Sequence, residues 1–147
     1  MVLVSELKFP ATPDYVGVIR LMIGGIVSRM DFDTEEIEDI KVAISEACTN
    51  VVQYAYQGHN TEDPFIYLTI EQKPKSIDFT VADNGIGFDP KKPPQRELSD
   101  DDVHMGLGLV FMKNLMDKVK VCSKEGEGTL ISMQKKVSAK KVSSKRG

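Results

Sequence analysis

Ala43-Ile44-Ser45-Glu46-Ala47-Cys48-Thr49-Asn50-Val51-Val52-Gln53-Tyr54-Ala55-Tyr56 reads as the central helix of this chain. Ile37, Ile40, Ile44, Ala47, Val51 and Tyr54 recur at the three- and four-residue steps of a single helix face. Glu46 and Asn50 stand one turn apart on a second stripe, beside the apolar one. A carboxylate and an amide at the rim of a core suit the wall of a pocket better than open solvent. Asp33, with Glu36 three residues on, supplies a start signal, and the helix is expected to run to Gly58.

Upstream, Glu6-Leu7-Lys8-Phe9 alternates as a strand stopped by Pro10. Thr12-Pro13 then opens a second amphipathic helix through Val16, Ile19, Ile23, Ile26 and Met30, ending near Asp31. Gly24-Gly25 inside it costs about 1 kcal/mol per glycine. That cost predicts a helix packed closely against the pair, in this chain or in a second copy.

Downstream of the central helix, residues 58–64 read as a loop. Phe65 to Gln72 and Ile77 to Val81 read as neighbouring strands, the second ending at Asp83-Asn84-Gly85. Residues 88–105 are polar, proline-rich and without clear period, the composition of a lid, a binding loop or disorder. Gly106-Leu107-Gly108 is expected to open a short helix carrying Leu109, Met112 and Met116. A last hairpin pairs Val119-Lys120-Val121 with Thr129 to Met133. The expected fold class is α+β: a two-layer sandwich of a mixed, largely antiparallel sheet with helices on one face.

The 147 residues suit one domain, 41% hydrophobic and 28% charged. No apolar run approaches the roughly 20 residues of a membrane span. The first residues carry no basic, cleavable leader, so the chain is expected in the cytoplasm. Cys48 and Cys122 form neither a disulfide framework nor a metal cluster and read as buried thiols. Residues 135–147 hold six Lys/Arg and no acid, a basic tail after a domain spanning 1–134. The remainder has 13 Lys/Arg against 22 Asp/Glu, which argues against a nucleic-acid partner.

Taken singly, Gly85-Ile86-Gly87 suits a hairpin turn and Gly106-Leu107-Gly108 a loop before a helix. Their order is more specific. A helix with Glu46 and Asn50, Asp83-Asn84-Gly85-Ile86-Gly87 after a strand, a lid, Gly106-Leu107-Gly108, then Gly128-Thr129 opening a strand resembles the GHKL, or Bergerat, ATP-binding fold. Residues 13–20, 36–50 and 106–109 resemble, more narrowly, the anti-sigma-factor serine kinases of the RsbW type. Members of that family are small, stand-alone and dimeric.

The resemblance implies ATP and Mg²⁺ as cofactors and a role for each matching position. Glu46 would be the general base toward an attacking hydroxyl, and Asn50 would hold Mg²⁺ through its side-chain oxygen. Asp83 would accept from the adenine amino group, with Thr129 adding a hydroxyl contact. Gly85 and Gly87 would let backbone approach the base, and Gly106, Leu107, Gly108 and Leu109 would cradle phosphates at a helix N-terminus. Lys91, Lys92 and Arg96 are further candidates for approaching phosphate, although solvated roles suit each of them. Asp100, Asp101 and Asp102 would have to point outward or pair; His59 and His104 read as surface histidines.

The implied partners are a sigma factor and an anti-anti-sigma protein of the STAS type, phosphorylated on serine, with a homodimer as the assembly and no nucleic acid or membrane. Three other readings stay open: a non-catalytic, ATP-dependent binding switch, the ATP domain of a histidine kinase or gyrase-type ATPase, and a scaffold without nucleotide.

Overall fold

A computed structural model describes residues 1–57, 64–89 and 100–138, with the backbone alone described over 100–105. The expectations for the 58–63 loop with His59, for Lys91, Lys92 and Arg96, and for residues 139–147 lie outside the described residues. So do the side chains of Asp100, Asp101, Asp102 and His104.

Five strands, β1 (Leu3–Pro10), β2 (Phe65–Lys73), β3 (Ser76–Asp83), β4 (Lys118–Lys124) and β5 (Gly128–Lys136), form one sheet in the order β1-β2-β3-β5-β4. Every pairing is antiparallel, so the sheet is not mixed as expected. Alternation along the strands sends Ile66, Leu68 and Ile70 of β2, and Ile77, Phe79 and Val81 of β3, to one buried face. Three helices cover that face: α1 (Pro13–Val27), α2 (Thr34–Asn50) and α3 (Asp100–Leu115). Ile19 and Ile23 of α1, Ile40 and Ile44 of α2 and Met112 of α3 join the strand residues in one core.

The start of α2 follows the expected signal. The Asp33 carboxylate accepts the Glu36 N–H at 2.7 Å, and the Glu36 carboxylate accepts the Asp33 N–H at 3.1 Å. Its end departs from expectation. After Asn50 the chain passes into a π-helical turn, Val51–Ala55. One extra residue per turn rotates the apolar face, so Ala55 and Tyr56 pack on the core where a regular helix would have placed Tyr54.

Gly24 answers the packing expectation, since a β-carbon there would lie 3.3 Å from Lys41 Cδ of α2. At Gly25 this chain supplies no such neighbour, since nothing lies within 4 Å of a β-carbon there among the described residues, which leaves a second copy as the expected one. Cys48 is buried, and burial pushes its thiol up to about 12. Cys122 is exposed, against expectation, because its place in β4 points to the face that no helix covers.

The expected domain boundary at 134 cuts through β5, which continues to Lys136. Lys135 Nζ donates to the Leu115 carbonyl at 2.5 Å, closing the C-terminal end of α3, and stands 4.0 Å from Asp39 Oδ2 of α2. The Lys136 N–H donates to Asp117 Oδ2 and the Val137 N–H to the Lys75 carbonyl. Lys135 and Lys136 belong to the sheet, and Val137 is tied to the β2–β3 turn beside it.

Candidate nucleotide-binding site

Asp83 is the next inward position after Ile77, Phe79 and Val81, so strand alternation carries a carboxylate to the end of the core. It is only 7% exposed. Its Oδ1 accepts the Gly85 N–H at 2.9 Å, and the carboxyl also takes a hydrogen bond from the Thr129 backbone. Burial raises the carboxyl above its ordinary 3.8, and the two backbone donors partly offset that rise. Thr129 faces Asp83 across β3 and β5, and Ser123 faces Thr129 across β4 and β5. The three side chains form one polar row at the end of the sheet. A cleft of about 630 Å³ beside this end of the sheet is lined by Ala82, Cys122 and Leu130 as well as by Asp83, Ser123 and Thr129, so it opens toward the face that the described helices leave uncovered.

The loop leaving β3 is held between two elements. The Ile86 N–H donates to the Ala55 carbonyl at 2.8 Å, and the Gly126 N–H donates to the Ile86 carbonyl at 2.7 Å. A β-carbon at Gly85 would lie 1.9 Å from the Ala55 oxygen. Gly87 has φ +62°, and a β-carbon there would lie 2.1 Å from the Lys124 carbonyl oxygen. Both glycines are therefore demanded by contacts within the chain, a different reason from the approach to a base expected of them.

The same contacts join this corner to α2, because Ala55 closes the π-turn that follows Asn50. Tyr56 adds a pin that the sequence reading missed. Its hydroxyl donates to the Phe65 carbonyl at 2.6 Å and accepts the N–H groups of Phe65 and Asn84, each at 3.2 Å. An aromatic residue at the end of a helical pattern gave no sign of that role, which exists only once β2 and the β3 loop arrive beside it.

Glu46 and Asn50 meet Gly108 of α3. A β-carbon on Gly108 would lie 3.0 Å from Glu46 Oε2 and 3.7 Å from Asn50 Nδ2. Asn50 Nδ2 is buried and has no hydrogen-bond partner among the described residues. An orphaned amide beside a carboxylate fits a polar ligand at this point, since a buried polar group is rarely left unpaired without cause. The side-chain oxygen of Asn50 is a hard donor of the kind Mg²⁺ takes, with phosphate oxygens and water completing its shell. Among the described residues no cluster of three or more His, Cys, Asp or Glu forms an all-protein metal cage.

One expectation is corrected here. Gly106 does not open a helix: α3 begins at Asp100, so residues 100–105, expected to be loop, form its first turns. Gly106 and Gly108 lie inside it, where backbone N–H groups serve the preceding turn and are not free for phosphate. Among the described residues nothing lies within 4 Å of a β-carbon built on Gly106, so it does not meet Glu46 or Asn50, and Leu107 is 61% exposed. Leu109 packs on the core. The structure thus gathers Asp83, Gly85, Gly87 and Thr129 at one corner and Glu46, Asn50 and Gly108 at another, with the π-turn between them.

Comparison with known proteins shows the family of the chain. Residues 9–135 match the family described as the histidine kinase-like ATPase domain. The chain is 41% identical over 145 residues to the serine-protein kinase RsbW of Bacillus pumilus, covering 93% of this chain and 88% of that protein. It is 38% identical over 144 residues to the protein of the same name from Bacillus velezensis, with the same coverage. Among solved structures, the RsbU and RsbW domains of a Mycobacterium tuberculosis protein superpose with a TM-score of 0.67 at 18% identity, over 91% of this chain and 32% of that one. A histidine kinase domain from Erythrobacter litoralis superposes with a TM-score of 0.55 at 19% identity, over 88% of this chain and 62% of that one. At such identities these two speak for the fold alone.

Proposed function

The chain belongs to the histidine kinase-like ATPase family and, within it, to the RsbW serine-protein kinases, and on that premise we propose how its residues move a phosphoryl group. ATP is the donor, and the acceptor is the serine hydroxyl of an anti-anti-sigma protein of the STAS type. The serine oxygen bonds to the γ-phosphorus, the bond from that phosphorus to the β–γ bridging oxygen breaks, and ADP leaves. Glu46 takes the serine proton as the new bond forms. Bound Mg²⁺ would neutralise charge on the phosphates, held on the protein side by Asn50.

The observation that carries this reading is the meeting of Glu46, Asn50 and Gly108. Residue 108 has no side chain, which lets α3 close directly on the one carboxylate and the one amide that the chemistry uses; even a β-carbon there would come within 3.0 Å of Glu46 Oε2. Asp83 and Thr129 would hold the adenine at the other corner, through an acceptor for its amino group and a hydroxyl beside it. Capture of phosphates by N–H groups at 106–108 requires the first turns of α3 to open, because the closed helix already uses those donors.

The same molecule would bind a sigma factor in competition with the serine-bearing partner, as a cytoplasmic dimer whose assembly sedimentation tests. Glu46→Gln keeps the shape of the side chain and removes its basicity. With labelled ATP and the serine-bearing partner, the variant should bind ATP and leave the partner unlabelled. Label appearing at the parent's rate would remove Glu46 from the role of base and favour the non-catalytic switch.

A further inference from the structure

Ser123 belongs to no part of the chemistry described so far, yet it makes three polar contacts at the end of the polar row. Its Oγ accepts the Phe88 N–H at 2.9 Å. It lies 3.2 Å from the Gly128 carbonyl, to which it donates, and 2.7 Å from Thr129 Oγ1. A serine hydroxyl has one proton and two lone pairs. The Gly128 carbonyl can only accept, so satisfying it uses the serine proton. One lone pair is taken by Phe88, and the contact with Thr129 must then be filled by the threonine's own proton. No other assignment satisfies all three contacts together. In it, Thr129 Oγ1 has spent its proton on Ser123 and keeps only lone pairs for a ligand beside Asp83.

We propose that Ser123 is a specificity-determining positioning residue: by holding the Thr129 hydroxyl as an acceptor, it lets the site take a 6-aminopurine and turn away a 6-oxopurine. This rests on the reading of Asp83 and Thr129 as the base-binding pair. An amino group at the 6-position meets acceptors on Asp83 and Thr129 and satisfies both. An oxo group there faces the same two acceptors with no proton between them, and buried polar groups left unpaired are the strongest source of discrimination between similar ligands. Without Ser123, the Thr129 hydroxyl is free to turn and donate to the oxo group.

The test compares dissociation constants for ATP and inosine triphosphate in Mg²⁺ buffer. Inosine differs from adenosine in the 6-substituent and the N1 proton that comes with it, and it lacks the 2-amino group of guanosine. The parent should prefer ATP, Ser123→Ala should narrow that preference about tenfold, and Ser123→Thr, which keeps the hydroxyl, should restore it. Thr129→Val should narrow the preference as well, and adding Ser123→Ala to it should change the ratio no further, because Ser123 acts through Thr129. Should Ser123→Ala fail to fold, Ser123→Cys, whose thiol is a weak hydrogen-bonder, is read in its place. An unchanged ratio in the Ser123 variant, or a further fall in the double variant, overturns the proposal. A parent that binds neither nucleotide overturns the base-site reading, and this proposal with it.

Discussion

Asp83 puts a negative charge at the edge of the core, and the fold bears the cost. Because burial raises its carboxyl above 3.8, the folded chain holds a proton at pH values where the unfolded chain has lost it. Its contribution to stability therefore falls as pH rises from 3.8 through the raised folded value, and is lowest above it. Asp83→Asn removes that slope while keeping an oxygen for the Gly85 and Thr129 donors. Near neutral pH the variant should melt no lower than the parent, and any advantage should shrink as the pH is lowered toward the ordinary carboxylate range. ATP affinity should drop at least tenfold, since the amide presents one acceptor and no charge to the base. Thermal melts across pH, together with calorimetric titration of ATP, check both halves. A variant that melts lower and binds normally would mean that Asp83 serves the fold alone. The carboxylate was legible in the sequence as the residue ending a strand before two glycines. Ser123, the partner of Thr129, was not, because a serine in an alternating strand looks the same whether or not a threonine arrives opposite.

The π-turn is the element on which the two corners of the site depend. It turns the end of α2 so that the Ala55 carbonyl faces the loop from β3, and Gly85 is the residue that lets the two backbones touch. Gly85→Ala should destabilise the fold by about 2 kcal/mol or more, because a methyl group 1.9 Å from a carbonyl oxygen forces one backbone to move. A urea titration reads this as a lower midpoint with an unchanged slope. An unchanged midpoint would show that the loop does not rest on the turn. Periodicity located α2 and its capping box, both of which follow from neighbours in sequence. It could not locate the π-turn, whose inserted residue is offset by contacts with Ile86 and Phe65 from distant strands. The start of α3 was missed for a related reason: residues 100–105 lack an apolar period, and the helix there continues from the packed half that carries Leu109 and Met112.

At the scale of the molecule, the described helices all lie on one face of the sheet, and its last strand runs beyond the expected boundary. A chain ending at Gln134 loses the Lys135 bond to α3, the Lys136 bond to Asp117 and the Val137 bond to Lys75; one ending at Ser138 keeps all three. The shorter chain should melt several degrees lower, given about 1 kcal/mol for each lost hydrogen bond. Equal melting temperatures would show that β5 ends its useful contacts before Lys135. The sequence by itself determined the helix bearing Glu46 and Asn50, the alternating strands, the glycine corners and their order. All of these are written in steps of two, three or four residues, where local geometry decides. Only the tertiary structure decided what those corners touch: Gly108 over the carboxylate and amide, Ala55 under Gly85, and the row from Asp83 to Ser123. Each of these is a contact between segments far apart in the chain, and no local period encodes which distant backbone will arrive.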